Sequence, residues 1–192
     1  MPLNQLKSYY QEMIPGLTDE MWANMEKHAI VQQYKKGELY ISPGEQENYV
    51  TFISKGAFRY FSVVDEKETV CEFVFENNYL SEYESFLRRT PAKVYIQALE
   101  DSVAVKFHYD HVQECYSNYP LIERFGRLIA EKFLIDAIDR MNSLLSSSPE
   151  ERYNKLAEEK PELLQRVPQY MIASFIGVTP EALSRIRRRL VA

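Results

Sequence analysis

Between Ile30 and His108 the chain breaks into seven short runs rich in Tyr, Phe, Val and Ile: IVQQY, ELYI, YVTFI, AFRYFSVV, TVCEFVF, KVYIQAL and VAVKFHY. Turn-forming stretches (KKG, SPGEQ, SKG, DEKE, ENN) separate them. Runs of this length and frequency predict a compact antiparallel roll or barrel, because branched and aromatic side chains suit a pleated, half-buried surface. Fourteen tyrosines and ten phenylalanines supply that surface. Gly37, Gly44 and Gly56 fall where the backbone must turn tightly.

Helical patterns flank the roll. Thr18 followed by Asp19 and Glu20 reads as an N-cap with acids in the first turn, ahead of Met21, Trp22, Met25 and Ala29 at helical spacing. Asp110 is expected to cap the helix that follows the roll. From Leu121 to Leu145 the apolar residues form almost two stripes: Leu121, Phe125, Leu128, Ile135, Ile138 and Leu145 near a 3.5-residue period, with Ile122, Ile129, Phe133, Ala137 and Leu144 beside them. A helix packed only on its own domain needs one stripe. Two stripes predict one face on the roll and another on a second copy, with Leu121, Phe125, Leu128, Ile135 and Ile138 at the dimer interface; a central helix buried within a monomer is the alternative. Next, Ser148-Pro149-Glu150-Glu151 is a capping box with proline at the first helical position, and the serines before it mark a candidate hinge.

The charge is uneven. The chain as a whole carries a formal charge of −5, yet from Arg166 onward five arginines face a single acid, Glu181. A basic end on an acidic body fits nucleic-acid binding, or equally a solvated helix end whose arginines complement the helix dipole. Two cysteines, Cys71 and Cys115, lie far apart with no Cys-x-x-Cys pair, which excludes a cysteine-based zinc or iron–sulfur site. No run approaches the ~20 apolar residues of a membrane span, and the N-terminus lacks the pattern of a secretion signal. A cytoplasmic protein with no membrane partner and no cofactor is expected.

The C-terminal segment QRVPQYMIASFIGVTPEALSRIRRRL predicts two helices joined by a tight turn. Gly177 suits the left-handed position that ends the first, and Thr179-Pro180-Glu181 starts the second with a hydroxyl cap, a proline and an acid. At ~100° per residue, Leu183, Ile186 and Leu190 share one face of the second helix, and Glu181, Ser184, Arg185 and Arg188 share the other. This is the pattern of a helix-turn-helix, whose second helix enters a major groove about 12 Å wide. Arg185 is placed to pair with guanine and Glu181 to accept from cytosine, while Arg188 and Arg189 suit phosphates. An ordinary helical hairpin is the rival reading.

This segment resembles the helix-turn-helix of the Crp/Fnr family of bacterial transcription factors, with Glu181 and Arg185 in the positions of that family's reading pair. YKKGELYISPGEQENYVTFISKGAFRYFSV resembles the first half of the family's cyclic-nucleotide-binding β-roll. The resemblance implies an α+β chain: a sensor roll over 1–115, a dimerisation helix over 116–147 and a DNA-binding unit over 148–192. It also implies a homodimer on a palindromic double-stranded operator, a small-molecule effector and contact with RNA polymerase. Within YLSEYESFLRRTPAKVYIQALED, the implied effector pocket falls on Ser81, Glu82, Tyr83 and Lys93. There Ser81 stands where the family has glycine, and Ala92, beside Lys93, where it has the phosphate-binding arginine. Lysine lacks the bidentate fork of arginine, so cyclic AMP is not expected to bind tightly, and another ligand or none is expected. The chain ends two residues after Leu190, so the family's wing is expected to be absent or vestigial. Two further classes stay open: a metal enzyme using His108 and His111, and a sensor that acts without DNA.

Overall fold

The computed structural model describes residues 1–191, with side chains described as far as Arg189. Two helices, α1 (Pro2–Met13) and α2 (Asp19–Lys27), precede eight strands: β1 (Ile30–Tyr34), β2 (Leu39–Ile41), β3 (Tyr49–Lys55), β4 (Phe58–Val64), β5 (Lys67–Val74), β6 (Tyr79–Leu80), β7 (Tyr95–Ala98) and β8 (Ser102–His108). A short α3 (Tyr83–Arg88) interrupts them. After the last strand come α4 (Tyr109–Asn118), the 27-residue α5 (Pro120–Ser146), α6 (Pro149–Glu159), α7 (Pro161–Arg166), α8 (Gln169–Phe175) and α9 (Pro180–Val191). Among the described residues no strand follows α4, and no helix is long and apolar enough to cross a membrane.

The strands form two four-stranded sheets, ordered β1-β8-β3-β6 and β2-β7-β4-β5. Pairing between the sheets' long strands is antiparallel, with Ile30 opposite Lys106 and Phe58 opposite Ala98. All seven runs expected from sequence contribute a strand. Inward residues of both sheets meet in a core of Tyr34, Ile41, Ile53, Phe58, Leu80 and Ile96, the two-layer burial that makes a roll stable.

The chain divides into two compact units. The first holds Met1–Phe61 and Phe73–Glu131; the second holds the hairpin tip Ser62–Glu72 and the chain from Lys132. In the first unit Tyr10 stacks on Phe125 at 3.8 Å between ring centroids. The cap of α4 differs from expectation: His108, not Asp110, is the N-cap, its ring accepting from the Asp110 N–H at 3.3 Å. An imidazole nitrogen supplies the acceptor that an aspartate was expected to provide.

In the second unit the capping box on α6 is complete. Ser148 Oγ accepts from the Glu151 N–H at 3.3 Å, and the Glu151 carboxylate accepts from the Ser148 N–H at 2.7 Å. Ser148→Ala should destabilise this unit by about 1 kcal/mol, seen as a lower urea midpoint by circular dichroism, whereas Ser147→Ala should leave it unchanged.

Candidate nucleic-acid interface and sensor segment

The helix pair at the C-terminus is built on buried apolar residues: Met171, Ile172, Ala173, Phe175 and Ile176 from the first arm, Leu183 and Ile186 from the second. Gly177 adopts φ +75°, and the Val178 N–H returns to Ala173 O at 2.9 Å, closing α8 as a left-handed C-terminal turn does. Thr179 Oγ1 accepts from the Ala182 N–H at 3.3 Å and so starts α9.

Glu181, Ser184, Arg185 and Arg188 are exposed and line one shallow concavity along α9. Four of the six residues expected to face a duplex are thus brought together, opposite buried Leu183 and Ile186; Thr179 caps the helix and Arg189 lies outside the concavity. The side chain of Leu190, expected on the apolar face, lies outside the described residues. Glu181's own backbone N–H and the Thr179 hydroxyl hold its carboxyl below the usual range, so it is charged at neutral pH. Arg188 Nη2 donates to Ser184 Oγ at 3.4 Å. Arg189 is engaged differently, pairing through Nη1 with Glu150 Oε2 at 3.3 Å. Arg187, off the concavity, donates to Gln169 Oε1 at 2.8 Å and ties the two arms together.

Two residues that sequence reasoning did not single out position this pair. The Arg140 guanidinium lies 3.8 Å from the Phe175 ring centroid and donates to the Phe175 carbonyl. Arg152 donates through Nε to the Ile176 carbonyl at 2.8 Å. Both neutralise carbonyls that the end of α8 leaves without intrahelical partners. A cation on a preceding helix gives no local sequence signal for such a role.

Along α5, Phe125 is buried in its own unit, while Leu121 and Leu128 are half-buried. Ile135 and Ile138 are exposed, as are Leu134, Met141 and Leu145.

In the first unit the segment expected to meet an effector is drawn inward. Ser81 and Glu82 are buried, Tyr83 is half-buried, and Lys93 is on the surface with both Glu84 carboxylate oxygens at 2.8 Å. The Ser81 N–H donates to the Tyr60 hydroxyl, which also bonds Ser81 O, each at 3.0 Å. The Glu82 carboxylate caps α3, accepting from the Ser85 N–H at 2.7 Å. Ser81, Glu82 and Lys93, expected to line an effector pocket, are therefore engaged within the chain. Buried Arg59 lies over Phe61 and directs Nε and Nη2 onto Gln97 Oε1 at 2.9 and 2.7 Å. A cavity of about 40 Å³ lies among Tyr10, Tyr79, Phe107, His111 and Cys115.

The two histidines weighed as a metal pair serve different ends: His108 caps α4, and His111 stacks on His28 at 4.0 Å with Nε2 3.3 Å from Cys115 Sγ. Burial and the neighbouring His28 keep the His111 pKa low, so its ring is neutral at pH 7, and burial raises the Cys115 thiol to about 11, so it stays protonated there.

Residues 31–119 match the cyclic nucleotide-binding domain family. No curated protein matches the chain in sequence. Among solved structures, FixK2 of Bradyrhizobium japonicum superposes with a TM-score of 0.70 at 19% identity, covering 84% of each chain. The c-di-GMP-responsive global regulator CLP of Xanthomonas campestris gives 0.70 at 16%, covering 90% of this chain and 91% of its own. A transcriptional regulator of the Crp/Fnr family from Eubacterium rectale gives 0.72 at 16%, with 91% and 83% covered. With a cyclic nucleotide-binding domain, a long helix and the terminal helix pair in this order, the chain has the fold of the Crp/Fnr regulators.

Proposed function

We propose that the protein is a cytoplasmic, sequence-specific DNA-binding transcriptional regulator acting as a homodimer. One observation carries the reading: the capped helix α9 buries Leu183 and Ile186 while presenting Glu181, Ser184, Arg185 and Arg188 together on its exposed side. A helix so divided is anchored on one face and free to enter a major groove with the other. The exposed apolar residues Ile135 and Ile138, with Leu134, Met141 and Leu145, supply a surface for a second copy. Two reading heads related by a two-fold axis call for a palindrome with half-sites ~10 base pairs apart. Arg189, through its pair with Glu150, is a peripheral phosphate contact at most. Sensor residues Ser81, Glu82, Tyr83 and Lys93 are committed to internal partners, which favours an effector other than cyclic AMP, or none. RNA polymerase is the partner through which such a regulator would act on transcription.

Selection of bound duplexes from a random library is the direct test. A palindromic consensus is the expected result, and recovery of no preferred sequence would overturn the reading. Within that consensus, Arg185→Ala should cost about 1–3 kcal/mol and relax preference at one base pair. Arg188→Ala should instead weaken binding to all sequences alike and flatten the salt dependence. Competition titrations at two salt concentrations distinguish the two outcomes.

A further inference from the structure

Glu47, in the loop between β2 and β3, is 2% exposed. Its Oε1 accepts from the Tyr49 N–H at 2.9 Å and the Tyr40 hydroxyl at 3.2 Å, and its Oε2 accepts from the Glu82 N–H at 3.3 Å. The same residue is bound through its main chain: its N–H donates to Ser85 Oγ at 2.9 Å, and its carbonyl accepts from Arg89 Nη1 at 2.9 Å. Arg89 also donates to Asn48 Oδ1 at 2.6 Å, and Ser85 Oγ donates to Thr90 O at 2.5 Å. One loop therefore fastens the segment 81–90 at Glu82, Ser85 and Arg89, and a single carboxylate oxygen holds the Glu82 amide.

The groups around this carboxylate do not neutralise it by direct pairing. Lys106, on β8, gives its ammonium to Gln32 Oε1 at 3.0 Å and lies 4.1 Å from the Tyr49 ring centroid. Tyr34 on β1 and Tyr40 on β2 present neutral phenols, their pKa values raised by burial and by Glu47. The Arg89 guanidinium is used on the Glu47 carbonyl, and the Glu82 carboxylate is turned to Ser85. A carboxylate in such a place is costly to ionise. When it gains a proton, Oε2 is the site, because Oε1 already serves two donors; an O–H there confronts the Glu82 N–H donor to donor.

We propose that Glu47 is a proton-operated latch on the sensor segment: ionised, it holds the Glu82 amide in place, and protonated, it releases that amide. The assignment of 81–90 to sensing rests on the regulator reading above; the latch itself does not. Burial sets the Glu47 carboxyl at about 7, where a modest change in pH shifts its charge.

The test uses the full chain with ¹³C-labelled glutamate carboxyls, followed by NMR between pH 4.5 and 9, and amide hydrogen exchange corrected for intrinsic base catalysis. The Glu47 signal, identified by its loss in Glu47→Gln, is expected to titrate near pH 7. Protection of the Glu82 amide is expected to fall at least threefold from pH 8 to pH 6 in the native chain and to stay flat in Glu47→Gln. Tyr40→Phe, which removes a donor to the ionised form, should move the midpoint upward and supplies a second variant should Glu47→Gln not fold. A Glu47 midpoint below about pH 5, or Glu82 protection unchanged across the titration, would overturn the latch. Neither readout contains DNA, so a failure to bind any duplex would count against the regulator reading and leave the latch intact.

Discussion

Gly56→Ala should destabilise the protein by about 3 kcal/mol or more, because two independent costs meet at this residue. Gly56 joins β3 to β4 at φ +95°, a conformation that an L side chain adopts only under strain. A Cβ there would also stand 2.0 Å from Ser102 Oγ and 2.8 Å from the Ser102 backbone Cα, contacts that only a shift of β8 relieves. Gly37→Ala is the matched control. Its φ is +84°, yet a Cβ would meet nothing within 4 Å, so the conformational cost stands alone at roughly 1 kcal/mol. Parallel urea titrations should show the Gly56 variant losing well over twice as much stability as the Gly37 variant. Equal losses would mean that packing against Ser102 is easily relieved.

The second large effect is a dependence of stability on pH that runs opposite to ordinary acid denaturation. In the folded chain Glu47 keeps its proton to about pH 7, against 4.5 for an unburied glutamate. Between those values the folded state binds more protons than the unfolded one, so stability falls as pH rises. The full loss is about 3 kcal/mol at 1.36 kcal/mol per pKa unit. Below about pH 3.5 the group contributes no pH dependence, and above about pH 8 the loss is complete. His111 acts in the other direction: burial depresses its pKa, so its contribution is present above the unfolded value of 6.5 and is lost as pH falls. Comparing the native chain with Glu47→Gln at each pH removes the histidine from the difference. The gap between the two unfolding free energies should move by about 3 kcal/mol in favour of Glu47→Gln between pH 5 and pH 8. A gap independent of pH would place the Glu47 carboxyl in water.

The roll was legible in sequence because its strands alternate with glycine and acidic turns, and each turn resets the register. The two strand residues Tyr79 and Leu80 and the six-residue α3 were not, since neither spans enough residues to show a period. The capping box at Ser148 and the turn at Gly177 were readable because their chemistry is local. The heptad positions of α5 were readable as apolar, but their partners were not: Phe125 meets Tyr10, more than a hundred positions away in the chain. Glu47 escaped notice for the same reason. In SPGEQENY it looks like one more solvated loop acid, and only the folding of β2, β3 and α3 around it takes it out of water. On α9 the sequence pattern of faces carried over to the structure directly, since a helix converts spacing into direction without help from distant residues.

Arg140 and Arg152 hold α8 by the oxygens of Phe175 and Ile176, which every amino acid possesses. The socket is therefore indifferent to which side chains α9 displays. Such a mount allows the outward positions 181, 184, 185 and 188 to be rewritten, by drift or by engineering, with the seating of the helix unchanged. New specificities would then cost little in folding, and chimaeras exchanging only those four positions should fold like the parent.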